Sequence, residues 1–235
     1  MFIIFDCDGV LVDSEIIAAR VDAEHLKKVG YEITPEEVIQ RFAGLTSRDI
    51  VTLIEAELGR PLPEDFLEEQ KEELDRRLAA EVQPVPGVFD LLDRLDRTGD
   101  PRAIGSNSSG ERLRMELEKT RLYDRFAPHI FSAVEVGERK PKPAPDVYLH
   151  ATEKLGFWPR DTIVVEDSAF GVRAAVAAGC RVVGFTGGAH TWPGHADILT
   201  EAGAETVIRR FADLPKVAEA LMAWRGLVDQ PDGGR

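Results

Sequence analysis

The chain has 235 residues, with 29 Lys and Arg against 42 Asp and Glu, a formal net charge of −13 and 43% apolar residues. Such a composition describes a globular protein with a substantial core, either one large domain or a domain carrying a sizeable insertion. The acidity excludes nucleic acid and anionic membrane as main partners, because both would be repelled at long range. It leaves room for a small anionic substrate where a metal ion and a few local cations reverse the sign of one pocket. Cys7 and Cys180 stand far apart with no zinc-type spacing, so a reducing, cytoplasmic setting is expected. The opening MFIIFDCDG turns acidic too early for a signal peptide, and no run of 18 apolar residues offers a membrane span.

In chain order, the apolar run Phe2 to Phe5 reads as a buried strand ending at Asp6. Helical patterns then follow without an intervening strand, at Glu15 to Val29, Pro35 to Phe42, Ser47 to Leu58 and Glu64 to Ala80. Pro84-Val-Pro-Gly87 punctuates the return. Strands are expected at Ala103-Ile104, Ile130 to Val134, Thr162 to Val165 and Arg181 to Phe185. Helices are expected at Gly110 to Leu122, Pro145 to Leu155, Ser168 to Ala178 and Ala212 to Trp224. Strand and helix alternating in this way predict an α/β fold, a Rossmann-like three-layer core with a mostly parallel sheet. The interruption predicts an all-helical cap inserted after the first strand. Residues 1–13 and 84–225 then form the core, 14–83 the cap and 226–235 a flexible tail.

Four constellations fall at or beside predicted carboxyl ends of strands, where open α/β sheets bind their ligands. Asp6 and Asp8 alternate along extended chain and can share one side. Their repulsion is relieved by a divalent cation between them, or by one staying protonated as an acid while the other is an ionised nucleophile. Ser106-Asn107 offers a hydroxyl and an amide suited to phosphoryl oxygens, with helix capping as the plain alternative. Lys140-Pro-Lys142-Pro-Ala-Pro-Asp146 holds a lysine on a stiff approach to a helix. Glu166-Asp167 ends another strand. By alternation, one of these acids binds metal directly and the other orients a ligand from behind it. An all-oxygen donor set sharing its ion with water and phosphate favours Mg²⁺.

The segments FDCDGVLVDSE, IGSNSS, KPKPAPD and VVEDSAFG, in this order around a helical insertion, resemble the four motifs of the haloacid dehalogenase-like hydrolase superfamily. The pattern is most similar to the helical-cap branch that holds β-phosphoglucomutases and many sugar-phosphate phosphatases. The resemblance implies that Asp6 attacks phosphorus to form an aspartyl-phosphate and that Asp8 protonates the leaving oxygen, then activates water. It implies that Ser106 and Lys142 hold the phosphoryl group and that Asp6, the Asp8 carbonyl and Asp167 bind Mg²⁺, with Glu166 behind them. Lys142 is preferred to Lys140 because it stands in the K-P-x-P-D frame. Gly44-Leu-Thr-Ser-Arg48 resembles the family's substrate-facing loop, where Arg48 could meet a second anionic group.

The expected activity is hydrolysis of a small phosphorylated metabolite, a sugar phosphate, by a monomer. A hexose-phosphate mutase is the alternative. In mutases of this kind a histidine lies ten residues after the second motif aspartate; here that position is Ala18, and His25 stands two turns on. A non-catalytic phospho-aspartate switch is a further alternative from another class. Dehalogenation is excluded by Asp8, which those enzymes lack. Lys71 reads as a solvated helix residue, His190, Trp192 and His195 as loop residues near the pocket rim, and Trp158 and Trp224 as packing residues.

Overall fold

Six strands form a parallel sheet in the computed structural model, in the order β3-β2-β1-β4-β5-β6. They are β1 Phe2–Phe5, β2 Arg102–Ser106, β3 Ile130–Ser132, β4 Thr162–Glu166, β5 Arg181–Phe185 and β6 Thr206–Ile208. The structure describes residues 1–42, 45 and 47–228, with side chains to 223. β1 sits at the centre, Phe5 pairing with Ile104 on one side and Val165 on the other. Its four residues are all buried, as a central parallel strand covered on both faces requires. The strand order reverses beside β1, and the crevice at such a reversal is where an α/β sheet binds ligand.

Helices α1 Glu15–Lys28, α2 Pro35–Phe42, α3 Ser47–Leu58 and α4 Phe66–Glu81 all lie between β1 and β2, as the sequence predicts. They share a small apolar cluster of eight buried residues, among them Leu26, Phe42, Ile54 and Phe66. α1 is two-faced: Ala19, Ala23 and Leu26 enter that cluster, whereas Ile17 packs with the sheet core, joined there by Leu78 and Val82 from α4 and the turn after it. The outgoing and returning chains are tied side by side. Asp13 N donates to Gln83 O at 2.9 Å, and Val85 N to Leu11 O at 2.9 Å.

The other helices are α5 Val88–Thr98, α6 Gly110–Lys119, α7 Tyr123–Phe126, α8 Asp146–Leu155, α9 Ala169–Ala177, α10 His195–Ala202 and α11 Leu214–Val228. α5, α7, α10 and β6 were not anticipated. β6 is an edge strand of three residues, too short for an alternation signal. α11 runs to Val228, so Gly226 to Val228 are helical where a tail was expected. One glycine costs a helix only about 1 kcal/mol and does not by itself end it. Residues 229–235 of that tail lie outside the described residues.

Trp158 corrects another expectation. It is 68% exposed, with the Arg160 guanidinium 5.7 Å from its ring, because it sits in a surface turn before β4. The Trp224 side chain lies outside the described residues. No helix among them is long and apolar enough to cross a membrane.

Candidate active site

Asp6 leaves the end of β1 with its backbone N bonded to Val165 O at 3.0 Å, so the sheet ladder fixes where its side chain emerges. Its Oδ1 accepts from Lys142 Nζ at 2.5 Å, and the same ammonium donates to Glu166 Oε1 at 2.6 Å. All three groups are buried. Burial pushes the Asp6 carboxyl well up; Lys142 opposes this, while Glu166, Asp167 and Asp8 add to it. Burial pulls the Lys142 ammonium down, but Asp6 and Glu166 more than offset it, so the lysine stays charged. Lys140 points elsewhere, 58% exposed and paired with Glu138. Of the two lysines, Lys142 is the one buried against the acids at the strand ends.

Asp8 sits in its own cage. Its Oδ1 accepts from Ser14 Oγ at 2.7 Å, and its Oδ2 from Ser108 Oγ at 2.7 Å and, weakly, from Ser106 Oγ at 3.4 Å. Burial raises its pKa, but Arg112, the Ser14 and Ser108 hydroxyls and Lys142 outweigh it, and the net shift is downward. Two neighbouring carboxyls are therefore pushed apart, Asp6 up and Asp8 down, the reverse of the order expected for a nucleophile at Asp6 and an acid at Asp8; a divalent cation against Asp6 would bring its pKa back down. Arg112 is held in turn by Glu116, whose Oε1 accepts from Nε at 3.0 Å. Burial and Asp8 lift Glu116 to about 8, against Arg112. Glu15, open to solvent on one side, is raised to about 7 by desolvation, Asp8 and Asp167, against His190 and Arg112.

Asn107 is exposed and has a part beside the one expected. Its Oδ1 accepts from the Lys142 backbone N at 2.8 Å, tying the lysine's loop to the end of β2. Ser106 is buried, and its Oγ also accepts from Ser108 N at 3.0 Å. Arg48 is exposed in the first turn of α3, its carbonyl accepting from Thr52 Oγ1 at 2.9 Å. Gly44 and Thr46 of its loop lie outside the described residues. Lys71 is solvated and pairs with Asp75.

Oxygens of Asp6, Glu166 and Asp167 lie within 4.8 Å of one another, the one group among the described residues with the make-up of a metal site. The expectation that Glu166 and Asp167 face apart gives way here, because Asp167 lies past the end of β4, where strand alternation no longer holds. They differ in what they already bind. Glu166 Oε1 accepts from Lys142 and from Tyr148 OH at 2.7 Å, and Oε2 from the Ser168 N and Oγ at 3.1 and 3.0 Å. Each oxygen thus has two donors, which fills a carboxylate's lone pairs. Gly171 is what permits this approach, since a methyl group there would lie 1.7 Å from Glu166 Oε1. Asp6 and Asp167 keep the freer oxygens, and three repelling acids around one point, all oxygen donors, fit a hard divalent cation.

Sequence reasoning missed Ser14, Ser108, Arg112 and Tyr148 as partners of the acids. Ser14 stands inside the first motif and Ser108 inside the second, but nothing in their spacing shows that both point at Asp8. Ser168 caps α9 as expected, accepting from Gly171 N at 3.0 Å.

The family profile described as haloacid dehalogenase-like hydrolase matches residues 3–185. The chain belongs to that family. It is 29% identical over 192 residues to the 6-phosphogluconate phosphatase of Escherichia coli, covering 81% of this chain and 85% of that one. Among solved structures, a haloacid dehalogenase-like protein of unknown function from Agrobacterium tumefaciens is 50% identical, with a TM-score of 0.89 over 94% of this chain and 98% of that one. A family hydrolase from Deinococcus radiodurans, with bound phosphate and sodium, is 32% identical with a TM-score of 0.82 over 94% and 96%. Further relatives include a hexitol phosphatase, a fructose-1-phosphate phosphatase and a phosphorylated-carbohydrates phosphatase. This hydrolase therefore carries the family's sheet with a helical insertion after its first strand, and several of its relatives are named as phosphatases of small phosphorylated sugars.

Proposed function

We propose that the protein is a Mg²⁺-dependent phosphatase of a small sugar phosphate, working through an aspartyl-phosphate on Asp6. The observation that carries this reading is the pair of carboxyls two residues apart, Asp6 buried and held by Lys142, Asp8 half-buried and caged by Ser14 and Ser108. Asp6 attacks phosphorus, a new P–O bond forms and the ester P–O bond breaks. Asp8 gives its proton to the departing alkoxide, then takes one from the water that attacks the phosphoryl group and frees Asp6. The cage keeps Asp8 ionised in the free protein, as the second step needs. An arriving phosphoryl dianion raises its pKa by repulsion, so Asp8 takes up its proton as substrate binds.

Lys142 supplies positive charge to the phosphoryl oxygens, and Ser106 a hydroxyl. The cation would be held by Asp6, the Asp8 carbonyl and Asp167, with Glu166 anchoring Lys142 behind them; when bound, Mg²⁺ neutralises charge on the carboxylates and the phosphoryl group. Residues 14–83 act as the cap that excludes bulk water, 1–13 and 84–225 as the core, and Arg48 of the cap meets the far end of the substrate. The reading includes a monomer in a reducing, cytoplasmic setting, supported by Cys7 and Cys180, both buried and unpaired.

Hydrolysis is favoured over the mutase reaction because Ala18 carries no titratable group where transfer between sugar hydroxyls needs one. His25 does not replace it. It is buried in the helical cluster, its Nδ1 donating to Val21 O at 3.0 Å, with Lys28 Nζ 3.3 Å from Nε2. The test is phosphate release from sugar phosphates, sugar-acid phosphates, nucleotides and an aryl phosphate, with Mg²⁺ or with chelator. Release only with Mg²⁺, lost below detection in Asp6→Asn, is expected; full activity of pure Asp6→Asn protein would sink the covalent route. Isomer formation primed by a bisphosphate, without phosphate release, would favour the mutase.

A further inference from the structure

The loop after β5, residues 186–194, reaches back across the sheet end to Asp167. His190 Nε2 lies 2.9 Å from Asp167 Oδ2, and since a carboxylate can only accept, Nε2 carries the hydrogen. His195 Nε2 donates to the Asp167 carbonyl at 2.7 Å, and Trp192 stacks on the His195 ring at 4.1 Å and 8°. The loop is pinned at its other side, where Ala189 N donates to Asp13 Oδ1 at 2.7 Å.

Two glycines make room for the imidazole. Gly9, at φ +72°, has no space for a side chain: a methyl group would lie 1.9 Å from Asp167 Oδ2 and 2.7 Å from His190 Cε1. At Gly188 it would lie 2.6 Å from Gly9 O and 2.8 Å from His190 Nδ1. His190 is buried, and its Nδ1 has no hydrogen-bond partner. The ring is thus held by packing and by one polar contact, the one to Asp167. It does not join the three-acid group itself, whose ligand atoms include no histidine.

We propose that His190 is a positioning residue for the cation site: it ties down one Asp167 oxygen so that the other is presented with Asp6. This rests on the Mg²⁺-dependent reading above. Without the tie, Asp167 is free to rotate away from two repelling carboxylates, and each binding event must then order it. Hydrogen bonds behind a metal's own ligands set affinity in this way, and their loss weakens binding by about 10–100-fold.

Calorimetric titration of MgCl₂ into chelator-stripped wild type, His190→Ala, His190→Asn and His190→Gln tests the proposal. A Gln amide reaches as far as Nε2, whereas an Asn amide falls one bond short. Ala and Asn should weaken Mg²⁺ binding by about 10–100-fold, and Gln should recover it to within about threefold. With a sugar phosphate that the wild type hydrolyses, kcat of the Asn variant should return to near the wild-type value once Mg²⁺ is saturating. A general packing defect would not restore kcat in this way. Should His190→Ala fail to fold, the Asn and Gln pair decides, because both keep a polar side chain. Equal Mg²⁺ affinity in the Asn and Gln variants, or wild-type affinity in all three, would overturn the inference and leave the phosphatase reading standing. If the wild type itself binds no Mg²⁺, the proposed function falls with it.

Discussion

The strand-end site and the helical unit of α1 to α4 handle charge in opposite ways. At the sheet, Asp6, Glu166 and Lys142 are buried and each is bound by at least one oppositely charged partner. In the helical unit, charges lie nearer the surface, half-buried Asp22 being an exception, and pair along α4: Arg76 and Arg77 with Glu73, Lys71 with Asp75. The cores differ as well. Among the described residues, two clusters of 27 and 17 buried residues sandwich the sheet, whereas the unit's own cluster has eight. Each fully buried Leu, Ile or Phe contributes about 1.5–3 kcal/mol, so the sheet half holds most of the stability. A rigid half can keep like charges close together; a lightly built half can move.

That contrast breaks most readily at Lys142. Lys142→Met leaves Asp6 and Glu166 buried without their cation, and removing one partner of a buried pair destabilises by about 3–5 kcal/mol. Denaturant unfolding in chelator at neutral pH measures it, and a loss under about 1 kcal/mol would mean that the site is wetter than its burial implies.

A smaller effect of opposite sign is expected in the helical unit at Asp22. Burial lifts its carboxyl to about 6, against the hydrogen bond from Gln70 Nε2 at 2.5 Å. The folded-state pKa lies above the unfolded one, so the folded chain binds this proton more tightly. The resulting stability is full below about pH 4 and is lost as pH rises through about 6. Asp22→Asn should therefore match the wild type at pH 4 and exceed it by about 2 kcal/mol at pH 7, read by urea unfolding at both. Equal gains at the two pH values would show that titration is not the cause. The least effect is expected at Arg76→Ala, which removes an exposed ion pair with Glu73 and should leave the melting temperature within error.

The same contrast explains what could be read beforehand. Asp6, Lys142, Glu166 and Asp167 were legible because each follows a buried apolar run or a stiff proline-rich approach, so local pattern and site position coincide. The four helices of the insertion were legible from periodicity, with Pro35–Phe42 and Ser47–Leu58 matching the expected bounds. β6 and α10 were not, being short and carrying little pattern. His190 was placed only near the pocket rim: it reaches Asp167 across a glycine loop, and no local rule relates two residues so separated in sequence. The tie from Asn107 to the Lys142 backbone was hidden for a related reason, since an amide side chain suits a phosphoryl oxygen and a backbone N–H equally well.

The paired crossing of Leu11–Asp13 and Gln83–Val85 has a consequence for how such a chain can diversify. Because the insertion leaves and re-enters at adjacent points, its length hardly affects the closure entropy seen by the sheet; each doubling of a flexible loop adds only about 0.6 kcal/mol. Segments of different size and surface can be spliced between the same two anchors while β1 keeps its register. Innovation in what is recognised is thereby decoupled from the machinery that reacts, and the seam between them is a two-stranded ribbon a few residues long.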